Sequence, residues 1–295
     1  MIVLRTVHDV RDAVRSARSR GERIGLVPTM GAFHEGHLTL MRRAKEMCQF
    51  VVVSLFVNPA QFTDAADLDR YPRDEARDAA LAEWTGADVL FAPPVDEVYP
   101  PGFGTTVHVG ALAAPLEGVV RGPQHFRGVA TVVTKLLNMV QPDHAFFGQK
   151  DAQQALIIGR LVRDLDVPVR IEVCPTVRES DGLAMSSRNA LLDAESRRRA
   201  PTLSRALFAV QHMIDAGETS ADRALDAGHA VLALERIVPE YFAAASTETL
   251  EPMETMSGAV LVAIAARIGG VRLIDNVIVR IGSTGSTGST RTGQQ

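Results

Sequence analysis

The sequence predicts an α/β fold: a mostly parallel sheet flanked by helices, followed by a smaller α+β domain. Three observations predict it. Stretches of buried-strand character alternate with stretches of helical periodicity up to Cys174, and such alternation implies βαβ units. The run FVVVSLFV at residues 50–57 is almost unbroken in β-branched and aromatic residues, as expected of a strand covered on both faces. After Asn189 the composition shifts to Ala- and Arg-rich helical spacing and then to two β-rich stretches.

Taken in order, residues 7–20 place Val10, Ala13, Val14 and Ala17 on one helical face. Residues 24–27 read as a buried strand, and 37–47 as a helix with Leu38, Met41 and Ala44 aligned. A helix over 74–86 and a strand over 87–92 follow. Residues 93–127 are richer in Gly and Pro. Within them 105–109 carry a short strand signal, and PLEGVVRGPQHFRG, residues 115–128, reads as a loop. Residues 129–140 form a strongly amphipathic helix stopped by Pro142. A strand over 144–147, a helix over 153–164 and a strand over 167–174 complete the first unit. Residues 193–237 read as helical. Residues 260–266 and 272–279 read as strands, joined by a hairpin at Gly269 and Gly270. The expected division is 1–188 for the sheet domain and 189–281 for the smaller one. The polar repeat GSTGSTGSTRTGQQ, residues 282–295, is expected to be a disordered tail outside the chemistry.

A chain of 295 residues, 46% hydrophobic and 22% charged, has ample material for a core. Its formal net charge of −4 argues against a general nucleic-acid binder. Cys48 and Cys174 lie beside apolar runs and read as buried small hydrophobes. No apolar run approaches the ~18 residues of a membrane span, and the N-terminus meets charge too early for a secretory signal. A cytoplasmic protein is expected.

Four segments could carry chemistry. RIGLVPTMGAFHEGH, residues 23–37, reads as a strand ending in a glycine turn that opens a helix. Backbone N–H groups and two imidazoles would then face an anion. HEGH is one residue short of the zincin spacing and has no cysteine cluster near it, so metal binding loses weight; idle surface histidines are the competing reading. Asn58, Pro59, Ala60, Gln61 and Phe62 follow a strand directly, where open α/β sheets bind ligands, and a plain turn is the alternative. Gly148, Gln149, Lys150 and Asp151, with Gln154 beyond, put a lysine after a strand and a glycine. That suits a phosphate, against the commoner solvated lysine. Met185, Ser186, Ser187, Arg188 and Asn189 could wrap a triphosphate or cap a helix, or do both. There is no nucleophile elbow, GxxxxGK[ST] or GxGxxG.

Together these segments resemble the pantothenate synthetase (pantoate–β-alanine ligase) family. PTMGAFHEGH is similar to that family's HIGH motif of the nucleotidyltransferase superfamily, and MSSRN to its KMSKS loop. VNPAQF, HFRGVATVV, FFGQKDAQQ and DGLAMSSRN match in order. The resemblance implies a Rossmann-like nucleotidyltransferase domain with a smaller C-terminal domain. It implies ATP-dependent ligation of pantoate and β-alanine through pantoyl adenylate, releasing pyrophosphate and then AMP, in coenzyme A precursor biosynthesis. It implies ATP contacts from Met30, Gly31, Ala32, Phe33, His34, Glu35, Gly36 and His37. Further contacts would come from Gly148, Gln149, Lys150, Asp151, Val177, Met185, Ser186, Ser187 and Arg188. His37, as proton donor to the departing pyrophosphate, would act with His34, Lys150, Ser186, Ser187 and Arg188. Gln61 and Gln154 would grip pantoate. Mg²⁺ accompanies ATP in the family, which is typically a homodimer. Asp78 matches a position with a metal role in some members, although no protein ligand to the metal is expected here. Two departures stand out: residues 116–125 are one residue longer than the family's pattern, and Tyr241 lacks the acidic residue that usually follows it. The competing functions are a nucleotidyltransferase that stops after nucleotide transfer, which would not need the pair Gln61 and Gln154, and a non-catalytic nucleotide-binding protein.

Overall fold

A computed structural model describes residues 1–281; the polar tail, and the expectation made for it, lies outside the described residues. The first unit runs β1 (Ile2–Leu4), α1 (Val7–Ser19), β2 (Ile24–Thr29), α2 (Glu35–Met47), β3 (Phe50–Leu55), α3 (Ala65–Arg70) and α4 (Glu75–Trp84). It continues with β4 (Val89–Phe91), α5 (Val95–Val98), α6 (Glu117–Arg121), α7 (Pro123–Val140), β5 (His144–Gly148), α8 (Ala152–Asp164) and β6 (Arg170–Cys174). After it come α9 (Ala194–Arg199), α10 (Thr202–Asp215), α11 (Ala221–Leu234), β7 (Pro239–Ser246), β8 (Gly258–Ile268) and β9 (Val271–Ile281).

Strands β1 to β6 form one parallel sheet in the order β1-β4-β3-β2-β5-β6. From β2 the chain builds outward to β3 and β4, then returns to set β5 on the other side of β2. The order reverses at β2, and ligands of open parallel sheets bind beyond the strand carboxyl ends at such a reversal. The two-residue period of the strands fills both faces. Leu26, Val52, Phe91 and Phe147 join α1 and α7 in one core. Val27, Val53, Leu90 and Phe146 join α2 in the other.

The second unit is a three-stranded antiparallel sheet, β7-β8-β9, packed on α10 and α11 around Leu203, Leu207, Val262 and Ile264. Gly269 and Gly270 both have positive φ, 56° and 79°, the backbone that a two-residue hairpin demands. The other face of β8 turns Leu261 and Ala263 toward Ala152 and Ile157 of α8 and Phe126 of α7 in one apolar cluster. The two units are joined there.

Three local expectations are corrected. Residues 115–128 are largely helical: α6 occupies Glu117–Arg121, and α7 begins at Pro123 rather than at residue 129. The density of Gly and Pro suggested a loop, but Pro is favoured at a first helical position. Gly128 is in the helix for close packing, since a Cβ there would lie 2.3 Å from the Ala60 carbonyl oxygen. Residues 105–109 form no strand; Val107 N–H donates to Thr131 Oγ1 at 2.9 Å. Strands β1 and β7 were not expected. β1 has only three residues, and the centre of β7 is Ala-rich, without a β-propensity signal.

Candidate active site

The segment after β2 is a turn tied down from a distance. Gly31 and Ala32 have positive φ, 91° and 53°, and a Cβ on Gly31 would lie 2.8 Å from Leu55 and 2.9 Å from the Asp78 carboxylate. Asp78, on α4, is buried at 1% exposure. Its two oxygens accept the N–H groups of Ala32 and Phe33, each at 2.8 Å. Asp78 therefore builds the turn, and its carboxylate is spent. Phe33 is buried in the core below, and Glu35 pairs with Arg42.

Several of the backbone N–H groups expected to face an anion are occupied within the protein. His34 caps α2 by accepting Gly36 N–H on Nδ1 at 3.1 Å, and His34 N–H points to His37 Nδ1 at 3.4 Å. His37 N–H goes to the His34 carbonyl. The rings lie 4.2 Å apart, and a Cβ on Gly36 would meet the His34 ring at 2.8 Å. The imidazole edges are then open to a ligand. Burial, then the charge of Lys150, drives the His34 pKa down to about 4. Burial, then His34, drives His37 to about 3. Both rings are neutral at pH 7. Because each Nδ1 faces an N–H as acceptor, each neutral ring carries its proton on Nε2.

Across the reversal point, β5 ends at Gly148, and Gln149–Asp151 forms one 3₁₀ turn into α8. Lys150 Nζ lies 3.5 Å from the Asp151 carboxylate. The Asp151 side chain is exposed, and Lys150 and then Arg121 hold its carboxyl below the usual carboxylate range. The segment after β6 folds back on itself through a bridge between Arg178 and Ala184. Met185 N–H donates to the Val177 carbonyl at 2.9 Å. Beside Val177, the Thr176 hydroxyl is buried without a partner among the described residues. Ser186 Oγ caps the turn Ser187–Leu191 through Arg188 N–H at 3.3 Å, so its capping role is real. Ser186 and Arg188 also line a narrow cleft with Lys150 and with Arg272 of β9. Ser187 opens the turn behind them.

Gln61 ends a short turn after β3, Pro59–Gln61. Its Oε1 accepts from Asn58 Nδ2 at 3.1 Å, and its Nε2 points at the Met30 sulfur at 2.8 Å, which joins this turn to the β2 turn. Asn58 is buried and also holds the Gly128 carbonyl and the Tyr99 hydroxyl. His125 Nδ1 meets the Gln61 carbonyl at 2.9 Å. Of the two adjacent glutamines on α8, Gln153 is consumed. Its amide bonds the carbonyls of Leu112 and Pro115 and the N–H of Glu117. Gln154 is half-buried on the first turn.

The Pantoate-beta-alanine ligase family model matches residues 2–278. The chain belongs to the pantoate–β-alanine ligase family. It is 52% identical over 280 residues to pantothenate synthetase of Pelotomaculum thermopropionicum, covering 95% of this chain and 99% of that one. Pantothenate synthetase of Roseiflexus castenholzii is also 52% identical over 280 residues, with the same coverage. A crystal structure of the Thermus thermophilus enzyme superposes with a TM-score of 0.88 at 48% identity, over 94% of this chain and 99% of that one. A Francisella tularensis pantoate–β-alanine ligase, complexed with beta-gamma ATP and beta-alanine, gives 0.76 at 32% identity, over 94% and 97%. Membership of the pantoate–β-alanine ligase family makes the chain an enzyme with a nucleotidyltransferase-like fold.

Several residues that shape this candidate site carry no site signal that the sequence reading used. Asn58 lies in the segment read as a ligand-binding candidate, but its role as the clamp on Gln61, Gly128 and Tyr99 has no local sequence signal. Glu117, Asp275 and Asn276 were not singled out. The signal was there for the last two, since VRLIDNVIV sets an acid and an amide in the middle of an apolar strand. Buried polar groups need partners.

Proposed function

We propose that the chain joins pantoate to β-alanine by way of pantoyl adenylate, with ATP cleaved to AMP and pyrophosphate. The observation that carries this reading is the convergence at the β2 reversal. Lys150, Ser186 and Arg188 line one cleft, the Lys150 charge acts on both histidines, and Gln61 touches Met30 of the same turn. The ATP and β-alanine held by the Francisella relative support it.

In the first step a pantoate carboxylate oxygen, aligned by Gln61 and Gln154, attacks the α-phosphorus. The bond to the β-phosphate oxygen breaks and pyrophosphate leaves. A carboxylate is already a nucleophile, so the protein supplies positioning and charge stabilisation rather than a covalent intermediate. Lys150 and Arg188 meet the charge that grows on the leaving group. His34 and His37 present neutral Nε2–H donors, so His37 acts as a hydrogen-bond donor rather than as a charged acid. In the second step the β-alanine amine attacks the acyl carbon, AMP leaves with the electron pair of the acyl–oxygen bond, and the amine proton passes to solvent.

Mg²⁺ would ride on the triphosphate and spread its charge. Among the described residues no group of three or more His, Cys, Asp or Glu side chains is placed to hold a metal, and Asp78 is committed to backbone. Phosphate oxygens and water, rather than a protein cage, would hold the ion. We take residues 1–188 as the catalytic domain and 189–281 as its smaller partner, two copies of the chain as the working unit, and the cytoplasm as its compartment. Among the described residues no helix is long and apolar enough to cross a membrane.

The test is ATP–pyrophosphate exchange. It should require pantoate and proceed without β-alanine; exchange that ignores pantoate would sink the assignment. His37→Ala should slow exchange by about 10²–10³-fold, the usual cost of one transition-state donor, with an unchanged circular dichroism spectrum. An unchanged rate removes the role given to His37.

A further inference from the structure

β9 is an edge strand of the small sheet, and at its centre Asp275 and Asn276 are both buried, at 3% exposure each. Such a pair is unfavourable in an apolar sheet unless every polar atom finds a partner. The pleat sends consecutive side chains to opposite faces, and the two reach different loops. Asn276 Nδ2 donates to the Gln149 carbonyl at 3.0 Å and to the Lys150 carbonyl at 2.9 Å. Its Oδ1 lies 3.4 Å from Gln149 Nε2 as acceptor. Asp275 accepts a forked pair from Arg178 at 2.6 and 3.0 Å, and takes Asn276 N–H on one oxygen at 2.7 Å. Arg178 also donates to the Gly182 carbonyl at 3.1 Å, closing the fold-back that leads into residues 185–189.

We propose that Asn276 and Asp275 are positioning residues for adenylate formation: one strand of the C-terminal unit holds the Lys150 turn and the 185–189 loop in fixed register with each other. The inference rests on the function proposed above. The two loops leave different strands, β5 and β6, yet Lys150, Ser186 and Arg188 line one cleft, with Asp275 on its wall. A departing pyrophosphate needs those groups at set separations, and a misplacement of ~1 Å costs on the order of 10²-fold in rate. Only a neutral amide of this length supplies two N–H donors to two neighbouring carbonyls. An aspartate at 276 would turn anionic oxygens toward them. Asp275 works by the complementary rule: a carboxylate matches the planar fork of a guanidinium, and an amide cannot.

The two half-reactions separate this role from plain stability. Adenylate formation, read as pantoate-dependent ATP–pyrophosphate exchange, needs the phosphate loops aligned. Pantothenate formation from synthetic pantoyl adenylate and β-alanine expels no pyrophosphate. Asn276→Ala and Asp275→Asn should each slow exchange by about 10- to 100-fold and leave the second half-reaction little changed. Asn276→Asp, with nearly the same shape, should be as slow in exchange as Asn276→Ala. The ratio of the two rates in one preparation does not depend on the fraction folded, and Asp275→Asn carries the test if the Asn276 variants do not fold. Equal loss in both half-reactions would reduce the pair to a structural role, and unchanged exchange would remove it. If the unmutated chain shows no pantoate-dependent exchange, the functional reading itself falls, and the positioning role falls with it.

Discussion

His34 and His37 behave as one unit: His34 N–H donates to His37 Nδ1, Gly36 N–H donates to His34 Nδ1, and the ring centroids lie 4.2 Å apart. Their folded pKa values of about 4 and about 3 lie below the ordinary 6.5. An unfolded chain takes up these protons as the pH falls below 6.5, whereas the folded chain resists until about 4 and about 3. Their contribution to stability is therefore complete above pH 6.5 and lost as the pH falls from there through about 3. Urea midpoints should drop between pH 7.5 and pH 5.5, and the double variant His34→Gln, His37→Gln should show a smaller drop. Equal drops in the two proteins would contradict the assignment of neutral rings. Glu117, whose window lies below 4.5, does not interfere at these pH values. The pair HxxH was legible in the sequence because its spacing fixes a shared helical face. Its capping arrangement was not, since histidine is not among the favoured cap residues. Nor was the role of Asp78 legible: it reaches the Ala32 N–H from 46 residues away, and no local pattern encodes that distance.

Most elements were legible from periodicity, because long buried segments carry it strongly; the misread ones show where packing overrides composition. The start of α7 is the instructive case. Six residues of helix lie before residue 129, from Pro123 through Gly128. Gly128 weakens the helix locally, by about 1 kcal/mol relative to Ala, yet it allows the Pro59–Gln61 turn to press against the helix backbone. Asn58 then bonds the Gly128 carbonyl at 3.1 Å and the Gln61 amide at 3.1 Å, so the position of Gln61 depends on that contact. Gly128→Ala should add helix propensity and still destabilise the protein. A Cβ 2.3 Å from a carbonyl oxygen and 2.7 Å from the Gln61 Cα must push the turn away, at about 1–3 kcal/mol for an overpacked site. Because the displaced turn carries Gln61, the KM for pantoate should rise more than the KM for ATP. A denaturation midpoint at or above that of the unmutated chain would show that the turn yields freely.

At the scale of the whole molecule, the apolar cluster around Leu261 and Ile157 is reinforced by a buried ionic network. Glu117 of α6, 7% exposed, accepts from both terminal nitrogens of Arg272 on β9, at 2.8 and 2.6 Å. It also accepts from Arg121 at 2.7 Å and from the Tyr241 hydroxyl on β7 at 2.9 Å. Arg272 extends the network to Glu240 at 2.6 Å. The Tyr241 hydroxyl on β7 thus meets its acid across the junction. Burial would raise the Glu117 pKa, but hydrogen bonds from Arg272 and Arg121 and their charges hold it at about 2. A depressed carboxylate stabilises the fold fully above its unfolded value of 4.5, and that stability is lost as the pH falls through about 2. Glu117→Ala removes the shared acceptor and leaves two guanidinium groups and a buried hydroxyl short of a partner. Breaking a buried pair from one side costs about 3–5 kcal/mol. The acid limb of the stability profile below pH 4.5 should flatten in the same variant. Replacing both ends, as Glu117→Met with Arg272→Met, should recover much of the loss, because no uncompensated charge then stays buried. The network joins the two sheets, so calorimetry of Glu117→Ala should resolve separate transitions for the parallel-sheet unit and the β7–β9 unit. A single transition in that variant, at the midpoint of the unmutated chain, would mean that the apolar cluster alone couples the two units.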